Sequence, residues 1–317
     1  MKKLFLFFAI SFAIVSVLLI LQNRGVINWR IEIPKIPWTK TQANKSELKV
    51  AFMDIGQGDA TLLQFPNGQT MLVDCGPNAG ILAALGRNLA WNQRDLDYLV
   101  VTHAHTDHFA RCIDVLARFR VHTIYYSGYD GEGGSMLRDW HRAVNEEQEN
   151  EGADFKIVAA PMELMIGSST VRFLYPDHDV AIDPHVPGEK TIDTNDTSVV
   201  VKVTYGSQDI LLTGDMEAPL EQYLVQKAAS ELAAEILKAG HHGSRSSSSA
   251  EFLRAVAPHD VTISAGIGNS YEHPHRSTLY HLSDLGARVW RTDVGGDILA
   301  TISTSTYAIQ YALDPGH

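Results

Sequence analysis

Cysteine is nearly absent from the 317-residue sequence, which contains only Cys75 and Cys112. Two cysteines are too few for a disulfide-dense scaffold or for a structural zinc site made of four cysteines. Both classes of protein are therefore excluded. The pair leaves two states open, a single disulfide or two buried free thiols, and the sequence favours neither.

Positively charged residues are also few. The 26 lysines and arginines are outnumbered by 37 aspartates and glutamates, which gives a formal net charge of −11. A protein that coats nucleic acid regardless of its sequence carries broad basic surfaces, so that class is excluded. An enzyme that holds a phosphodiester with metal ions and a few local donors is compatible with this charge. The 45% of apolar residues is typical of a globular protein.

The longest apolar run lies near the N-terminus and has no charged residue, proline or glycine. It extends from Leu4 to Leu21, after Lys2 and Lys3. At about 1.5 Å per residue, a helix of this length just crosses the hydrocarbon core of a membrane. A cleaved signal peptide has a shorter apolar region and a small-x-small cleavage site, and this run has no such site. We therefore expect an uncleaved signal anchor rather than a cleaved signal or a buried core helix.

This anchor divides the sequence into three parts: a transmembrane helix over residues 1–22, a linker over 23–47 and a domain over 48–317. The lysines before the run favour an N-terminus inside the cell, whereas Arg24 beyond it opposes that orientation. On balance we expect a single-pass protein of the cytoplasmic membrane with its domain on the outer side. The membrane is then a partner through the N-terminal helix.

Strand and helix signals alternate beyond residue 48, and the strands come in two batches, each followed by helices. The first batch includes TLLQF and TMLVDCG, which predict a hairpin around Pro66-Asn67-Gly68. The second batch includes SVVVKVTYG and DILLTGD. Two sheets inside and helices outside account for this order. We therefore predict an α/β fold of four layers, an αββα sandwich.

The strongest chemical signal is the segment HAHTDH, residues 103–108, directly after the buried strand signal DYLVVT. Side chains two apart in an extended segment point the same way, so His103 and His105 can converge on one metal ion. Asp107 and His108 can reach a second ion as the chain turns into a helix. Imidazole and carboxylate ligands suit Zn²⁺, Mn²⁺ or Fe²⁺.

Two further segments supply side chains of the metal-binding types. LLTGD puts Asp215 at the end of an apolar strand, where a carboxylate can bridge two metals or cap a helix. KAGHHGS puts His241 and His242 after another apolar run. Adjacent histidines are often surface residues, but their position relative to the other segments favours a metal site.

These motifs, in this order, resemble the metallo-β-lactamase-fold hydrolases. The segments DIGQGDA at 54–60, LVDCG at 72–76, GHHGS at 240–244 and YEHP at 271–274 make the sequence similar to the C-terminal hydrolase domain of the DNA-uptake family ComEC. The similarity extends over about residues 48–313. It does not include the multi-helix channel or the OB-fold domain of that family, so a chain with one membrane helix is not itself a DNA channel.

The resemblance implies two divalent transition metals, with zinc ahead of manganese or iron, and a set of ligands for them. The implied ligands are His103, His105, Asp107, His108, the bridging Asp215, and one of the two adjacent histidines, with His242 preferred. His241 then faces the substrate phosphate, and Asp74 is the carboxylate that holds a ligand histidine in place. Two metals about 3.5–4 Å apart would bind a bridging hydroxide as the nucleophile, with Asp107 or His241 managing the proton.

The superfamily usually has one more histidine ligand between the HxHxDH and GD motifs. The histidines in that interval are His122, His141, His178 and His185. We expect His178 and His185, in a loop rich in proline and aspartate, to be bystanders. The interval ends in NDTS, residues 195–198, which matches the asparagine–serine motif of the ComEC-like pattern. The first metal then has three protein ligands and an open position.

Substrate contacts are predicted around the ligands. They are Asn195 and Ser198 of NDTS, Ser244 and Arg245 after the double histidine, and His273 of YEHP. The tryptophans and tyrosines are scattered, so no stacking role is assigned to them.

Together these features predict a membrane-anchored, extracytoplasmic metallohydrolase, in the first place a phosphodiesterase or nuclease acting on DNA or RNA. One alternative is a hydrolase of the same fold that acts on a β-lactam, lactone, thioester or phosphocholine ester. The GHHGS and HP elements count against a β-lactamase, whereas the acidic charge keeps small substrates open. The other alternative is a non-catalytic binding module with a structural metal, against which the intact ligand set counts.

Overall fold

The computed structural model of the chain describes residues 46–131 and 134–312. The expected membrane anchor over residues 1–22 and almost all of the linker over 23–47 lie outside the described residues, so both stay predictions. Within the described part, no helix combines the length and the apolar composition needed to cross a membrane.

The first sheet is built from the two ends of the domain. Its strands are β1 (Leu48–Phe52), β2 (Thr61–Gln64), β3 (Thr70–Val73), β4 (Asp95–Val101), β5 (Arg120–Tyr126), β6 (Asp154–Ile157), β14 (Ile298–Ile302) and β15 (Tyr307–Tyr311). These eight strands follow the order β15-β14-β1-β2-β3-β4-β5-β6. Strands β2 and β3 pair antiparallel, which confirms the predicted hairpin.

The second sheet comes from the middle of the chain. Its strands are β7 (Met162–Ile166), β8 (Ser169–Tyr175), β9 (Val200–Tyr205), β10 (Gln208–Leu212), β11 (Ile236–Lys238), β12 (Asp260–Ile263) and β13 (Arg288–Arg291). They follow the order β13-β12-β11-β10-β9-β8-β7.

The helices of the described residues connect the strands of the two sheets along the chain. They are α1 (Gly80–Asn88), α2 (Thr106–Phe109), α3 (Cys112–Arg118), α4 (Ser135–Glu151), α5 (Ala218–Leu232), α6 (Ala250–Val256), α7 (Arg276–Leu285) and α8 (Thr292–Gly295). Two short 3₁₀ turns cover Asn195–Thr197 and Gly240–Gly243.

Three apolar clusters separate four layers. Alternate residues of a strand face opposite sides of a sheet, so Leu99 of β4 packs with Trp140 of α4, whereas the next residue, Val100, packs with Val201 of the second sheet. A third cluster joins the far face of the second sheet to α5, α6 and α7, for example through Leu253. The αββα sandwich expected from the sequence is confirmed.

The chemistry-bearing loops follow parallel strands. In the first sheet β3, β4 and β5 run parallel, and in the second sheet β10, β11, β12 and β13 do so. The HAHTDH segment follows β4, the GD motif follows β10 and GHHGS follows β11. Since the carboxyl ends of parallel strands share one edge of a sheet, each sheet collects its motifs at one edge.

A disulfide joins Cys75 to Cys112, which settles the choice that the sequence left open. It ties the loop after β3 to the first residue of α3. The backbone N–H groups of Cys75 and Gly76 both donate to the carbonyl of His108, at 2.7 and 3.1 Å. The crosslink therefore lies directly behind the HAHTDH segment.

Reduction of this disulfide should destabilise the fold. The crosslink closes a separation of 37 residues, and a loop of that length corresponds to about 4 kcal/mol of unfolding free energy. Urea denaturation of the metal-free chain, with and without a thiol reductant, measures the difference. The double variant Cys75→Ala/Cys112→Ala is the control and should not respond to the reductant. Equal stability of the natural chain under both conditions would contradict the crosslink.

Candidate metal centre

The HAHTDH segment leaves β4 extended and then turns into α2. His103 and His108 are fully buried, and their ring centroids lie 4.2 Å apart. His105 is half-buried and its ring centroid lies 4.8 Å from that of His103. The short helix α2 then carries Asp107 and His108 on consecutive positions. Local backbone geometry alone therefore gathers four side chains that can bind metal.

Four of the implied ligands meet in one cluster. Ligand atoms of Asp107, His108, Asp215 and His242 lie within 4.8 Å of one another. Nε2 of His108 is 3.2 Å from Oδ1 of Asp215. Nε2 of His242 is 3.2 Å from Oδ2 of Asp107 and 3.5 Å from Oδ2 of Asp215. Asp215 therefore lies between His108, which follows a strand of the first sheet, and His242, which follows a strand of the second.

The polar atoms of this cluster fit a metal. Nε2 of His103 is buried without a hydrogen-bond partner among the described residues, and Nε2 of His108 and Oδ1 of Asp215 face each other at 3.2 Å without forming a hydrogen bond. Each such group costs about 1–3 kcal/mol when left unsatisfied, and all three are good ligand atoms for a divalent cation. Nitrogen and carboxylate donors together suit the transition metals that the sequence predicts.

Asp74 holds the ring of His108 from behind. Its Oδ2 accepts a hydrogen bond from Nδ1 of His108 at 2.8 Å. The same carboxylate accepts bonds from the backbone N–H and the hydroxyl of Thr102, both at 2.8 Å. With its proton on Nδ1, His108 presents the Nε2 lone pair to the cluster, which is the tautomer that binds a metal.

His103 is oriented by two hydroxyls. Its Nδ1 lies 3.1 Å from Oγ1 of Thr102 and 3.2 Å from Oγ of Ser198. The Thr102 hydroxyl donates to Asp74, and Ser198 Oγ also accepts the backbone N–H of Asp215 at 3.1 Å. Ser198 was predicted as a substrate contact, but the structure buries it fully behind two implied ligands, so it positions them rather than facing the cleft.

The two adjacent histidines point in different directions because both have left-handed backbone. The φ angles are 44° at His241 and 53° at His242, a conformation that is uncommon outside glycine. His242 is 1% exposed, and its Nδ1 lies 3.1 Å from the carbonyl of Ser264. His241 instead places Nδ1 2.7 Å from Oε1 of Glu217 and Nε2 3.9 Å from Asp215.

Two buried groups that the sequence reasoning missed support His242. Asp59 forms an ion pair with Lys238, and its Oδ1 lies 3.4 Å from Nδ1 of His242. Although burial raises the pKa of Asp59, the charges of Lys238 and His242 outweigh burial and bring this pKa to about 2. A Cβ at Gly58 would lie 2.4 Å from the carbonyl of Asp107. The available signal was the position of Asp59 in the DIGQGDA motif at 54–60.

Glu217 is the third missed residue. Its Oε1 accepts hydrogen bonds from Ser246 at 2.7 Å and from Nδ2 of Asn195 at 3.2 Å, besides holding His241. Burial opposes the charge of Glu217, but the hydrogen bonds from His241 and Ser246 outweigh it and lower the pKa of the carboxyl. Its position two residues after Asp215 was the available signal.

The electrostatics show an excess of carboxylate in the cluster. Burial lowers the pKa of His103 well below its usual value, which keeps this ring neutral as a ligand must be. Burial also opposes protonation of His242, but the carboxylates of Asp215 and Asp59 outweigh it and raise the pKa to about 9. These carboxylates attract positive charge, which a bound metal would provide in place of protons.

A cleft of about 440 Å³ opens above the cluster. Besides the ligand side chains, its lining includes Gln57, Asn195, His241, Tyr271 and His273. Ser244 and Arg245 are not part of this lining. The hydroxyl of Ser244 contacts Ser246 at 2.8 Å, and the guanidinium of Arg245 lies 3.2 Å from Nε2 of His275.

The histidines between the motifs lie elsewhere and each contacts a carboxylate. The pairs are His122 with Asp95, His141 with Asp130, His178 with Asp177 and His185 with Asp183. None of these histidines is in the cleft lining or in the ligand cluster of the described residues.

Residues 53–267 match the metallo-beta-lactamase superfamily. The chain belongs to that superfamily. It is 30% identical to ComE operon protein 3 of Bacillus subtilis over 270 residues and 29% identical to Competence protein ComA of Neisseria gonorrhoeae over 255 residues. The matches cover 80% of this chain in both cases and 33% and 32% of the relatives.

The chain therefore spans about a third of the length of the curated relatives it matches. Recombination protein 2 of Haemophilus influenzae shows the same proportion, with 29% identity over 86% of this chain and 31% of the relative. Among solved structures, the diiron β-hydroxylase CmlA from Streptomyces venezuelae has a TM-score of 0.50 and 16% identity, covering 81% of this chain and 54% of its own. That likeness concerns the fold alone.

Metal content should depend on His242 and not on His241. After loading with zinc or manganese, elemental analysis of the purified chain should find roughly two ions per chain, because the cluster has ligands for a dinuclear site. His242→Ala removes a ligand atom and should lose at least one ion. His241→Ala is the matched neighbour and should keep both. The reverse result would exchange the roles of the two histidines.

Proposed function

We propose that this chain is a di-metal phosphodiesterase that cleaves nucleic acid, DNA in particular, outside the cytoplasmic membrane to which its N-terminal segment anchors it. The observation that carries the proposal is the cleft above the ligand cluster. Its wall carries imidazole and amide groups at His241, His273 and Asn195, which can donate to the non-bridging oxygens of a phosphate. The superfamily supplies the metal-dependent hydrolytic chemistry.

Bound divalent metals would supply an activated water and Lewis-acid stabilisation of the phosphoryl oxygens. The residues of the chain set the geometry around that chemistry. Since Nδ1 of His241 is engaged by Glu217, its Nε2 is the atom left to bind a phosphate oxygen. The side chain of Asp107 is 29% exposed and that of Asp215 only 1%, so Asp107 is the carboxylate placed to take a proton from the attacking water.

The cleft fits a phosphodiester better than a β-lactam. A β-lactam needs a wide apolar floor and a cationic donor for its carboxylate. Ala104 is the one aliphatic side chain in the cleft lining of the described residues, and that lining contains no lysine or arginine. The relatives described as competence and recombination proteins support nucleic acid as the substrate class.

Two observations support a location outside the membrane. The run from Leu4 to Leu21 has the length and composition of a signal anchor. The Cys75–Cys112 disulfide is of a kind that persists in oxidising compartments and is rare in the cytosol of mesophiles. A disulfide-bonded domain that follows a signal anchor is consistent with export of this domain across the membrane.

The metal-loaded chain should hydrolyse bis-p-nitrophenyl phosphate and single-stranded DNA, lose this activity in EDTA, and leave nitrocefin intact. His241→Ala should slow phosphodiester hydrolysis about 10- to 150-fold, because a charge-assisted hydrogen bond lost from the transition state costs about 1.5–3 kcal/mol. His141→Ala removes a half-buried imidazole outside the cleft and is the control. Hydrolysis of nitrocefin without hydrolysis of either phosphodiester would refute the proposed substrate class.

Protease added to intact spheroplasts should digest the domain from residue 48 onward. The anchor keeps the N-terminus inside and leaves the domain exposed on the outer face. Immunoblotting against the domain, with a cytoplasmic protein as a protected control, gives the readout. A protected domain, or a shortened soluble form in the medium, would contradict the proposed topology.

A further inference from the structure

The loop over residues 266–273 forms one wall of the cleft and is held rigidly by Asn269. The carbonyl oxygen of that side chain accepts the backbone N–H groups of Tyr271 and His273 at 3.2 and 3.0 Å. Its amide donates to the carbonyls of Gly266 and His273 at 2.9 and 2.7 Å. The side chain of Asn269 accepts two hydrogen bonds and donates two, and together they fix the backbone on both sides of Tyr271.

Tyr271 ends a row of rings that begins at the ligand cluster. The ring of His273 lies 6.1 Å from that of His242 and 5.3 Å from that of His241. The ring of Tyr271 stacks on His273 with a centroid distance of 5.7 Å and an interplanar angle of 27°. Since Tyr271 is still 63% exposed, the face away from His273 opens to the mouth of the cleft.

We propose that this open face of Tyr271 receives a nucleobase of a single-stranded nucleic acid, next to the phosphate held over the metal centre. The inference rests on the proposed phosphodiesterase function and names the form of its substrate. Every base has a flat π-face that stacks on an aromatic side chain, independent of sequence. A base inside a duplex already has both faces covered, so the site selects unpaired nucleotides.

Two features of the surroundings favour a base over another occupant. Ile267, on the same loop, is 84% exposed, so this loop presents a second apolar side chain to solvent. The described residues that line the cleft include no lysine or arginine, so the substrate is not held there through a run of side-chain cations along its backbone. Stacking then carries a large share of the affinity for the flanking nucleotide.

Exposure by itself does not distinguish Tyr271, and a second tyrosine provides the matched control. Tyr280 on α7 is 66% exposed but does not line the cleft. Single exposed aromatic side chains of that kind are ordinary surface residues. The position of Tyr271, between the metal cluster and solvent, gives it the role proposed here.

The test compares two substrates on the metal-loaded full chain in detergent. One is a single-stranded oligonucleotide, and the other is a strand of equal length made of abasic sites, which keeps the phosphodiesters and lacks the bases. The natural chain should prefer the base-bearing strand in kcat/KM by about 5- to 150-fold, the range expected for stacking of one base. Tyr271→Ala should bring this ratio close to one. Tyr271→Phe, which keeps the ring, and Tyr280→Ala should retain it.

A binding measurement that involves no turnover accompanies the kinetics. A strand carrying 2-aminopurine should lose fluorescence when it stacks on the metal-free chain, which cannot cleave it. The quenching should survive in Tyr271→Phe and disappear in Tyr271→Ala.

The outcomes separate this inference from the proposed function. A Tyr271→Ala chain that keeps the substrate ratio, or one whose activity falls equally on both strands, overturns the stacking role. Failure of Tyr271→Phe to restore the ratio overturns it as well, because the hydroxyl would then matter rather than the ring. A natural chain that cleaves neither strand contradicts the phosphodiesterase proposal, and the quenching measurement then decides the stacking site independently.

Discussion

Buried negative charge is the constraint on which the rest of the site depends. Asp215 is 1% exposed and faces imidazole nitrogens of both sheets, with Asp107 beside it. A carboxylate in the interior is tolerated only when it is paired or bound to a metal. His241 and His242, both with positive φ, bring their rings to this point from one turn, a backbone conformation that is uncommon and costly for residues other than glycine.

A surrounding set of buried polar groups makes the cluster rigid. Asp74 orients His108, the Thr102 and Ser198 hydroxyls orient His103, and the Asp59–Lys238 pair stands behind His242. These supports come from loops and strand ends of both sheets, so they also join the two sheets at the site. The disulfide behind the HAHTDH segment adds a covalent link to the same region.

The site divides into an inner part made of the candidate metal ligands and an outer part that meets substrate in the proposed function. The boundary runs between two adjacent residues, because His242 turns inward while Glu217 holds His241 at the wall of the cleft. Beyond His241, the rings of His273 and Tyr271 continue to solvent. Under the proposed function, a chain with a net charge of −11 would hold a phosphodiester through metals, a few donors and one stacked base.

Local spacing in the sequence predicted the four layers and the four candidate ligands of the HAHTDH segment, because strand alternation and a short strand-to-helix turn fix directions within a few residues. The full ligand set, with Asp215 and His242, came from the resemblance. Tertiary structure decided the rest. Asp59 and Lys238 meet only because two sheets pack together, and the pairing of Cys75 with Cys112 depends on how α3 returns beside β3. The direction of His241 against His242 follows from backbone angles that the surrounding contacts impose. Ser198 was predicted as a substrate contact and is instead a buried support for His103 and Asp215. The sequence places a residue along the chain, and only packing determines which side of a ligand it occupies.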